Sequence, residues 1–92
     1  QAGKSLRQTD GSLLLEGGSS LRDLNRKMGL NLPLDSAKTL NGLILEHLED
    51  IPEPGTSLKI SGYPIEIIQT QERIVKVVRI FPKQNADHAK LQ

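Results

Sequence analysis

The chain has 92 residues, a formal net charge of +1 and no cysteine. One small domain accounts for this length, and the lack of cysteine excludes disulfides, thiolate zinc sites and cysteine nucleophiles. The near-neutral charge gives no overall attraction to nucleic acid or anionic lipid. No apolar run approaches the ~20 residues of a membrane helix, so we expect no direct membrane insertion. The chain begins with Gln1 rather than Met, which we interpret as the start of a fragment of a longer protein.

The N-terminal part of the chain predicts a β-hairpin. The pair Asp10-Gly11 favours a two-residue type I′ turn, because glycine tolerates the positive φ that this turn requires. In the strand that follows, Leu13 and Leu15 would face the same side. Gly17 and the glycine after it then end the strand.

A short helix follows the paired glycines. Ser19 or Ser20 can cap its free N–H groups, and Gly29 is well placed as a left-handed stop. Apolar residues recur at helical spacing and predict one buried stripe. These residues are Leu21, Leu24 and Met28.

A second helix is expected to start at Asp35 or Ser36 and to run to about Leu48. Gly42 lies in its middle, at a cost of about 1 kcal/mol relative to alanine. We expect close approach of another backbone to compensate for this cost. The apolar stripe of the helix consists of Leu40, Leu43, Ile44 and Leu48.

After Pro52, Pro54 and Gly55, three short apolar segments predict a β-meander with turns at Gly62 and around residues 70–72. The order is therefore ββααβββ, an α+β fold with a mainly antiparallel sheet and two helices packed together on it. We assign residues 5–82 to this domain. Residues 1–4 are interpreted as a linker remnant, and residues 83–92 as a disordered C-terminal tail.

Two segments carry motifs whose joint order resembles one family. Residues 10–25 combine a DG hairpin, a glycine break and a Leu-x-x-Leu helix. Residues 39–55 combine a threonine, a mid-helix glycine, an aliphatic run and Ile-Pro-x-Pro-Gly, and "RIVKVVRI" follows later. Over residues 5–81 the chain looks like the CorC/HlyC transporter-associated domain.

This resemblance implies a setting that the composition does not show. Domains of this family usually follow a transmembrane region and a pair of CBS nucleotide-binding modules in larger membrane proteins. Those proteins are associated with magnesium and cobalt efflux, and some are called hemolysins. The fold is similar to part of the FAD-binding domains of certain flavoenzymes. The family supplies no catalytic residues.

The resemblance therefore implies a non-catalytic accessory or regulatory domain on the cytoplasmic face of the inner or cell membrane. It would act by protein contact with the CBS modules, with the membrane domain or with a second copy in a homodimer. Two alternatives from the ligand-binding class stay open. They are a sensor of a nucleotide or flavin, and a sensor of divalent cations.

An acidic cluster at the end of the second helix is the candidate metal site. Glu46 and Asp50 share a helix face and Glu49 is adjacent, so the three carboxylates can offer oxygen ligands to Mg²⁺. The alternative is a solvated helix end. We interpret His47 as a residue at the boundary of the apolar stripe rather than as a ligand.

A basic strand near the C-terminus is the candidate docking strip. One interpretation is contact with an acidic partner or a phosphate, and the other is an edge strand whose charges prevent aggregation. No aromatic platform accompanies the charges, so nucleic acid is not expected as a partner. The cations are Arg73, Lys76, Arg79 and Lys83.

Apolar residues left over on the sheet are the other expected contacts with a partner protein. With the two arginines of the basic strand, the predicted contact residues are Tyr63, Ile68, Arg73, Arg79 and Phe81.

The segment before the first helix is the candidate cofactor site. Gly18, Ser19 and Ser20 precede a helix N-terminus, where free N–H groups can receive a phosphate of FAD or an adenine nucleotide. The Walker and Rossmann fingerprints are absent, and a helix cap explains the same residues. We expect no cofactor. Nothing in the sequence arranges a catalytic triad or a histidine motif, so we expect no enzyme activity.

Overall fold

The computed structural model describes residues 6–84. Its elements follow the predicted order ββααβββ, which confirms the α+β class. Segment 1–4 and all of the predicted tail except Lys83 and Gln84 lie outside the described residues. The elements are β1 (Leu6–Arg7), β2 (Leu13–Glu16), α1 (Leu21–Met28), α2 (Leu40–Leu48), β3 (Ser57–Ile60), β4 (Tyr63–Gln71) and β5 (Ile74–Ile80).

The five strands form one sheet in the order β1-β2-β5-β4-β3, and every neighbouring pair is antiparallel. The predicted meander of the last three strands is confirmed. However, β5 also pairs with β2, so the basic strand lies in the middle of the sheet. Its interpretation as an edge strand was wrong, because its backbone is hydrogen-bonded on both sides.

One face of the sheet carries the core. The pairing register places Leu13 opposite Ile80, and Ile80 opposite Ile65. Residues directly opposite each other in antiparallel strands project to the same side, and these three side chains are buried in one cluster with Leu21 and Leu40 of the helices. Both helices therefore cover this core face. Each fully buried aliphatic side chain contributes about 1.5–3 kcal/mol.

The loop between β1 and β2 differs from the predicted type I′ turn. The N–H of Gly11 donates to the carbonyl of Gln8 (3.0 Å), and the N–H of Gln8 donates to the carbonyl of Ser12 (2.8 Å). Positive φ occurs at Gly11 (87°) but not at Asp10, which is the pattern of a three-residue loop closed by a left-handed glycine. The Asp10 carboxylate accepts from the backbone and hydroxyl of Ser12 (2.9 and 2.6 Å). These bonds lower the pKa of Asp10.

Two other hairpins have residues with positive φ at both central turn positions. Ser61-Gly62, with φ of 53° and 86°, joins β3 to β4, and Glu72-Arg73, with φ of 52° and 69°, joins β4 to β5. This is the type I′ pattern, which matches the right-handed twist of the strands. Left-handed backbone costs roughly 1–2 kcal/mol at a residue with a Cβ. Arg73 thus belongs to a turn, one residue beyond the turn expected at residues 70–72.

The caps of the helices confirm one boundary and correct another. In α1, the Ser20 hydroxyl accepts from the N–H of Asp23 (3.2 Å), and the helix stops at Gly29 with φ of 70°, as predicted. However, α2 begins after Thr39, whose hydroxyl accepts from the N–H of Gly42 (3.1 Å).

The predicted start of α2 at Asp35 or Ser36 was wrong because the backbone ahead of Thr39 is paired elsewhere. The N–H of Leu21 donates to the carbonyl of Lys38 (2.9 Å), and the N–H of Leu40 donates to that of Ser19 (3.0 Å). These bonds form a short antiparallel bridge between the two helix starts. Extended pairing of this kind excludes helical φ and ψ at the bridged residue.

Three elements meet at Gly17, just after β2. Its N–H donates to the carbonyl of Lys76 in β5 (2.8 Å), and its carbonyl accepts from the N–H of Asn41 in α2 (2.7 Å). The Asn41 side chain in turn accepts from the N–H of Val75 (2.8 Å). A Cβ on Gly17 would lie only 1.8 Å from the carbonyl oxygen of Val75. We call Gly17, Asn41 and Val75 the glycine junction.

The close backbone approach expected at Gly42 therefore occurs at Gly17 instead. The nearest atoms to a Cβ on Gly42 would be the Thr39 hydroxyl oxygen at 3.3 Å and the Ala37 Cβ at 3.6 Å. Both belong to the segment that leads into the same helix, so the expectation of an approaching backbone at Gly42 was wrong.

Two shifts of register in the β4–β5 pair change which residues of β5 face the core. Ile67 pairs with Val78, Gln69 with Val77, and Thr70 with Val75. Strict alternation would put Val75 and Val78 on opposite faces, yet both are 0% exposed. The shift next to Val75 lies at the strand segment that the glycine junction holds.

We predict that Gly17→Ala destabilises the domain by about 3 kcal/mol or more, because a methyl group cannot fit against the Val75 carbonyl without moving β5. Urea unfolding measures this change. Gly18→Ala is the matched control, since nothing lies within 4 Å of a Cβ there, and it should leave stability within about 1 kcal/mol. Equal effects of the two variants would contradict the close approach at Gly17.

Replacing Glu72-Arg73 by Asn-Gly should raise the free energy of unfolding by about 1 kcal/mol, because both new residues accept positive φ. Thermal and urea unfolding would detect the gain. The same Asn-Gly pair at Thr9-Asp10, where neither φ is positive, should not stabilise. Stabilisation only at the control position would refute the turn assignment.

Candidate functional site

The face of the sheet opposite the core forms the main candidate contact surface. In the pairing register Leu14 lies opposite Arg79, and Arg79 lies opposite Glu66. Each of these three residues is half-buried and has a core residue on either side of it in the sequence. Within residues 6–84, both helices lie on the other side. We call Leu14, Glu66, Val77 and Arg79 the outer face.

Arg79 lies at the centre of the outer face, because β5 is the middle strand. Its Nη1 lies 3.8 Å from Oε1 of Glu66, and the two side chains are 34% and 36% exposed. The Nε of Arg79 is buried and has no hydrogen-bond partner within residues 6–84. This guanidinium is therefore ion-paired only at long range and keeps unused donors.

The structure distributes the five predicted contact residues over several places. Arg79 is on the outer face, and Arg73 is exposed in the β4–β5 turn. Ile68 is half-buried beside the register shift of β4, outside the core cluster. Tyr63 is 5% exposed and belongs to the core, and its hydroxyl accepts from the N–H of Asn31 (2.9 Å). Tyr63 is thus not a leftover surface residue, because its ring closes the apolar layer.

The fifth residue, Phe81, is half-buried and lines a cavity at the end of the domain where β1 and the segment after β5 meet the end of α1. Arg7, Tyr63 and Lys83 line the same cavity. The sequence pattern did not reveal the cavity, because its residues come from separate elements and nothing in the pattern brings those elements together.

Two of the three carboxylates of the predicted metal site accept local hydrogen bonds, and the third residue, Glu49, caps the helix through its backbone. Both oxygens of Glu46 lie within hydrogen-bond distance of the Ser36 hydroxyl (2.9 and 3.0 Å). Glu49 is the left-handed C-cap of α2, and its N–H donates to the carbonyl of Leu45 (2.8 Å). Asp50 accepts from the N–H of Ile51 (2.7 Å).

Within the described part of the chain, no group of three or more His, Cys, Asp or Glu is placed to hold a metal ion. The structure therefore does not bring Glu46, Glu49 and Asp50 together as one ligand set. Next to them, Nδ1 of His47 lies 3.2 Å from the carbonyl oxygen of Leu43. This segment has the arrangement of a capped helix end.

The predicted phosphate-binding segment is occupied by its own hydrogen bonds. The N–H of Ser19 donates to the carbonyl of Glu16 (3.1 Å), and the N–H of Leu21 donates to that of Lys38 (2.9 Å). The hydroxyl of Ser20 takes the N–H of Asp23. The N–H groups of Ser19, Leu21 and Asp23 are therefore already used, and Ser20 acts as the cap of α1.

No helix in residues 6–84 combines the length and the apolar character needed to cross a membrane.

A sequence model described as "Transporter associated domain", CorC_HlyC, matches residues 6–84. The chain belongs to this family. The resemblance inferred from the hairpin, cap and proline motifs is thereby confirmed.

Relatives and solved structures agree with the assignment. The UPF0053 inner membrane protein YfjD of Escherichia coli is 43% identical over 75 residues, which cover 82% of this chain and 18% of that protein. This transporter associated domain thus spans less than a fifth of the curated relative.

Two solved structures share the fold. The first, of a functionally unknown conserved protein from Haemophilus influenzae, has 40% identity and a TM-score of 0.83, covering 88% of this chain and 99% of that chain. The second, the transporter associated domain of a CBS domain protein from Porphyromonas gingivalis, has 28% identity and a TM-score of 0.75, covering 87% and 98%.

We predict that Glu66→Gln changes the free energy of unfolding by less than about 1 kcal/mol, because its ion pair with Arg79 is long and more than one third exposed. Urea unfolding at low and high salt measures the effect. A loss of about 2 kcal/mol or more would mean that the fold depends on this pair, and that the outer face is not free to serve contact.

Proposed function

We propose that this domain is a non-catalytic accessory and regulatory domain of a divalent-cation efflux transporter or hemolysin-like membrane protein. The transported ions would be magnesium or cobalt. The domain would lie on the cytoplasmic face of the membrane and act by contact with CBS modules or the membrane domain of the same protein. Family membership supports the transporter setting, and the length of the relatives supports a larger parent protein.

The observation that supports the contact mechanism is that no helix covers the outer face within residues 6–84. Helices cover only one side of the sheet in residues 6–84, and the other side presents half-buried apolar side chains at Leu14 and Val77. Such a mixture of apolar area and a central arginine is typical of protein contact surfaces. A partner carboxylate or carbonyl could satisfy the buried Nε of Arg79.

The partner would thus gain both apolar burial and a hydrogen bond to a charged group. A hydrogen bond to a charged donor contributes about 1.5–3 kcal/mol when water is excluded. The small area of the domain makes a modest, switchable contact more suitable than a permanent one, and this suits a regulatory element. Leu14, Val77 and Arg79 of the outer face are the residues we assign to it, and a contact at Ile68 stays a prediction from the sequence.

We predict that Leu14→Asp combined with Arg79→Glu, made in the full-length parent membrane protein, reduces magnesium or cobalt efflux at least about fivefold. The reason is that the variant loses a contact worth about 1 kcal/mol or more. Ion content of cells loaded with Mg²⁺ or Co²⁺ reports the loss. Thermal melts of the isolated domain verify that each variant is folded. Arg79→Lys, which keeps the charge, should retain part of the activity.

The matched control is Leu34→Asp with Lys27→Glu. These two exposed residues lie away from the outer face, and the control makes the same charge change. Efflux should stay within about twofold of the unmodified protein. Equal loss in both variants would reject the outer face as the contact. If neither the variants nor the unmodified parent protein exports the ions, the transporter setting itself is rejected.

A further inference from the structure

The cavity that Phe81 lines has an apolar wall built by three elements. Leu13 and Ile80 are paired residues of β2 and β5 that project to the core face. Residues 28–30, at the end of α1, and Phe81 after β5 also line it. The cavity volume is about 290 Å³. This is near the lower end for small-molecule sites, which have about 300–1,000 Å³.

Two cations line the same cavity. Arg7 pairs with Leu13 in the β1–β2 register, so its side chain starts out from the sheet on the same side as the cavity wall. Lys83 comes from the segment after β5. Within residues 6–84 neither Arg7 nor Lys83 makes an ion pair. Their positive charges are therefore not neutralised by a carboxylate of the described chain.

Lys83 is exposed, and three contacts restrict its position. Its Nζ lies 5.7 Å from the centre of the Tyr63 ring, within the range of a cation–π contact. Its aliphatic stem passes Gly62, where a Cβ would lie 3.1 Å from the Lys83 Cγ. The following N–H, of Gln84, donates to the carbonyl of Gly62 (2.8 Å). The missing side chain at Gly62 thus makes room for the stem of Lys83. Because the lysine is already restricted, it loses less conformational entropy when a ligand binds.

We propose that this cavity binds a small organic acid, with its apolar body against Leu13, Leu30 and Phe81 and its carboxylate beside Arg7 and Lys83. Unpaired cations at the edge of an apolar cavity favour a ligand that is apolar at one end and anionic at the other. The site lies apart from Gly18 to Ser20, and binding there does not depend on the proposed contact role of the outer face.

The test is a titration of the ¹⁵N-labelled domain with benzoate, octanoate and indole-3-acetate, followed by amide NMR shifts. At least one acid should give saturable shifts at Leu30, Ile80 and Lys83. Indole-3-acetamide, which has the same ring without the charge, should bind at least about tenfold more weakly than indole-3-acetate, if the latter is a ligand. Absence of saturable shifts with all three acids at about 10 mM would overturn the proposal.

Variants separate charge at the cavity from net charge. Arg7→Gln with Lys83→Gln should weaken binding of the best acid at least about tenfold. Lys59→Gln with Lys76→Gln removes the same charge from exposed positions outside the cavity. This control should change the affinity for the same acid less than about twofold. Equal weakening by both pairs would overturn the site. Because the readout uses the isolated domain, failure here leaves the efflux test unaffected.

Discussion

Strand β2, helix α2 and strand β5 are joined at Gly17, where no side chain fits. The backbone of Gly17 bonds to Lys76 on one side and to Asn41 on the other, and the Asn41 amide oxygen takes the N–H of Val75. These bonds satisfy backbone groups of β5 and Gly17 beside the register shift between β4 and β5. They also fix the start of α2 relative to the sheet. The N-terminal hairpin, the helices and the C-terminal meander can therefore enclose one core.

The central position of β5 divides the molecule into two faces with different chemistry. On the core face, Val75, Val78 and Ile80 are fully buried against the helices. On the outer face, Arg79 carries a buried Nε without a partner in the described chain and a long ion pair to Glu66. A buried polar atom without a partner costs free energy in an isolated domain. A partner that satisfies it recovers that cost, which is why the outer face suits contact better than the capped acidic helix end.

The proposed cavity lies at the end of the core face and the proposed contact on the outer face, so the two use different side chains of neighbouring strands. Ile80 lines the cavity while Arg79, the preceding residue, lies on the outer face. A ligand that contacts Phe81 and Lys83 would act directly on the end of the strand that carries Arg79. This arrangement supplies a physical route by which a small acid could alter the contact of an accessory domain with its parent protein.

The family, the order of elements and the core stripes were determined by local sequence features. Apolar periodicity identified Leu21, Leu24, Leu43 and Ile44, and the caps at Ser20 and Gly29 are short-range hydrogen-bond and φ effects. The tertiary structure alone decided the central place of β5, the start of α2 at Thr39 and the close approach at Gly17. For the β4–β5 turn, which the sequence placed around residues 70–72, the structure set only the exact position at Glu72-Arg73. The place of β5, the start of α2 and the approach at Gly17 depend on hydrogen bonds between residues distant in sequence, and periodicity contains no information about such pairs. The cavity between Arg7 and Lys83 was hidden from the sequence for the same reason, since its walls come from both ends of the described chain.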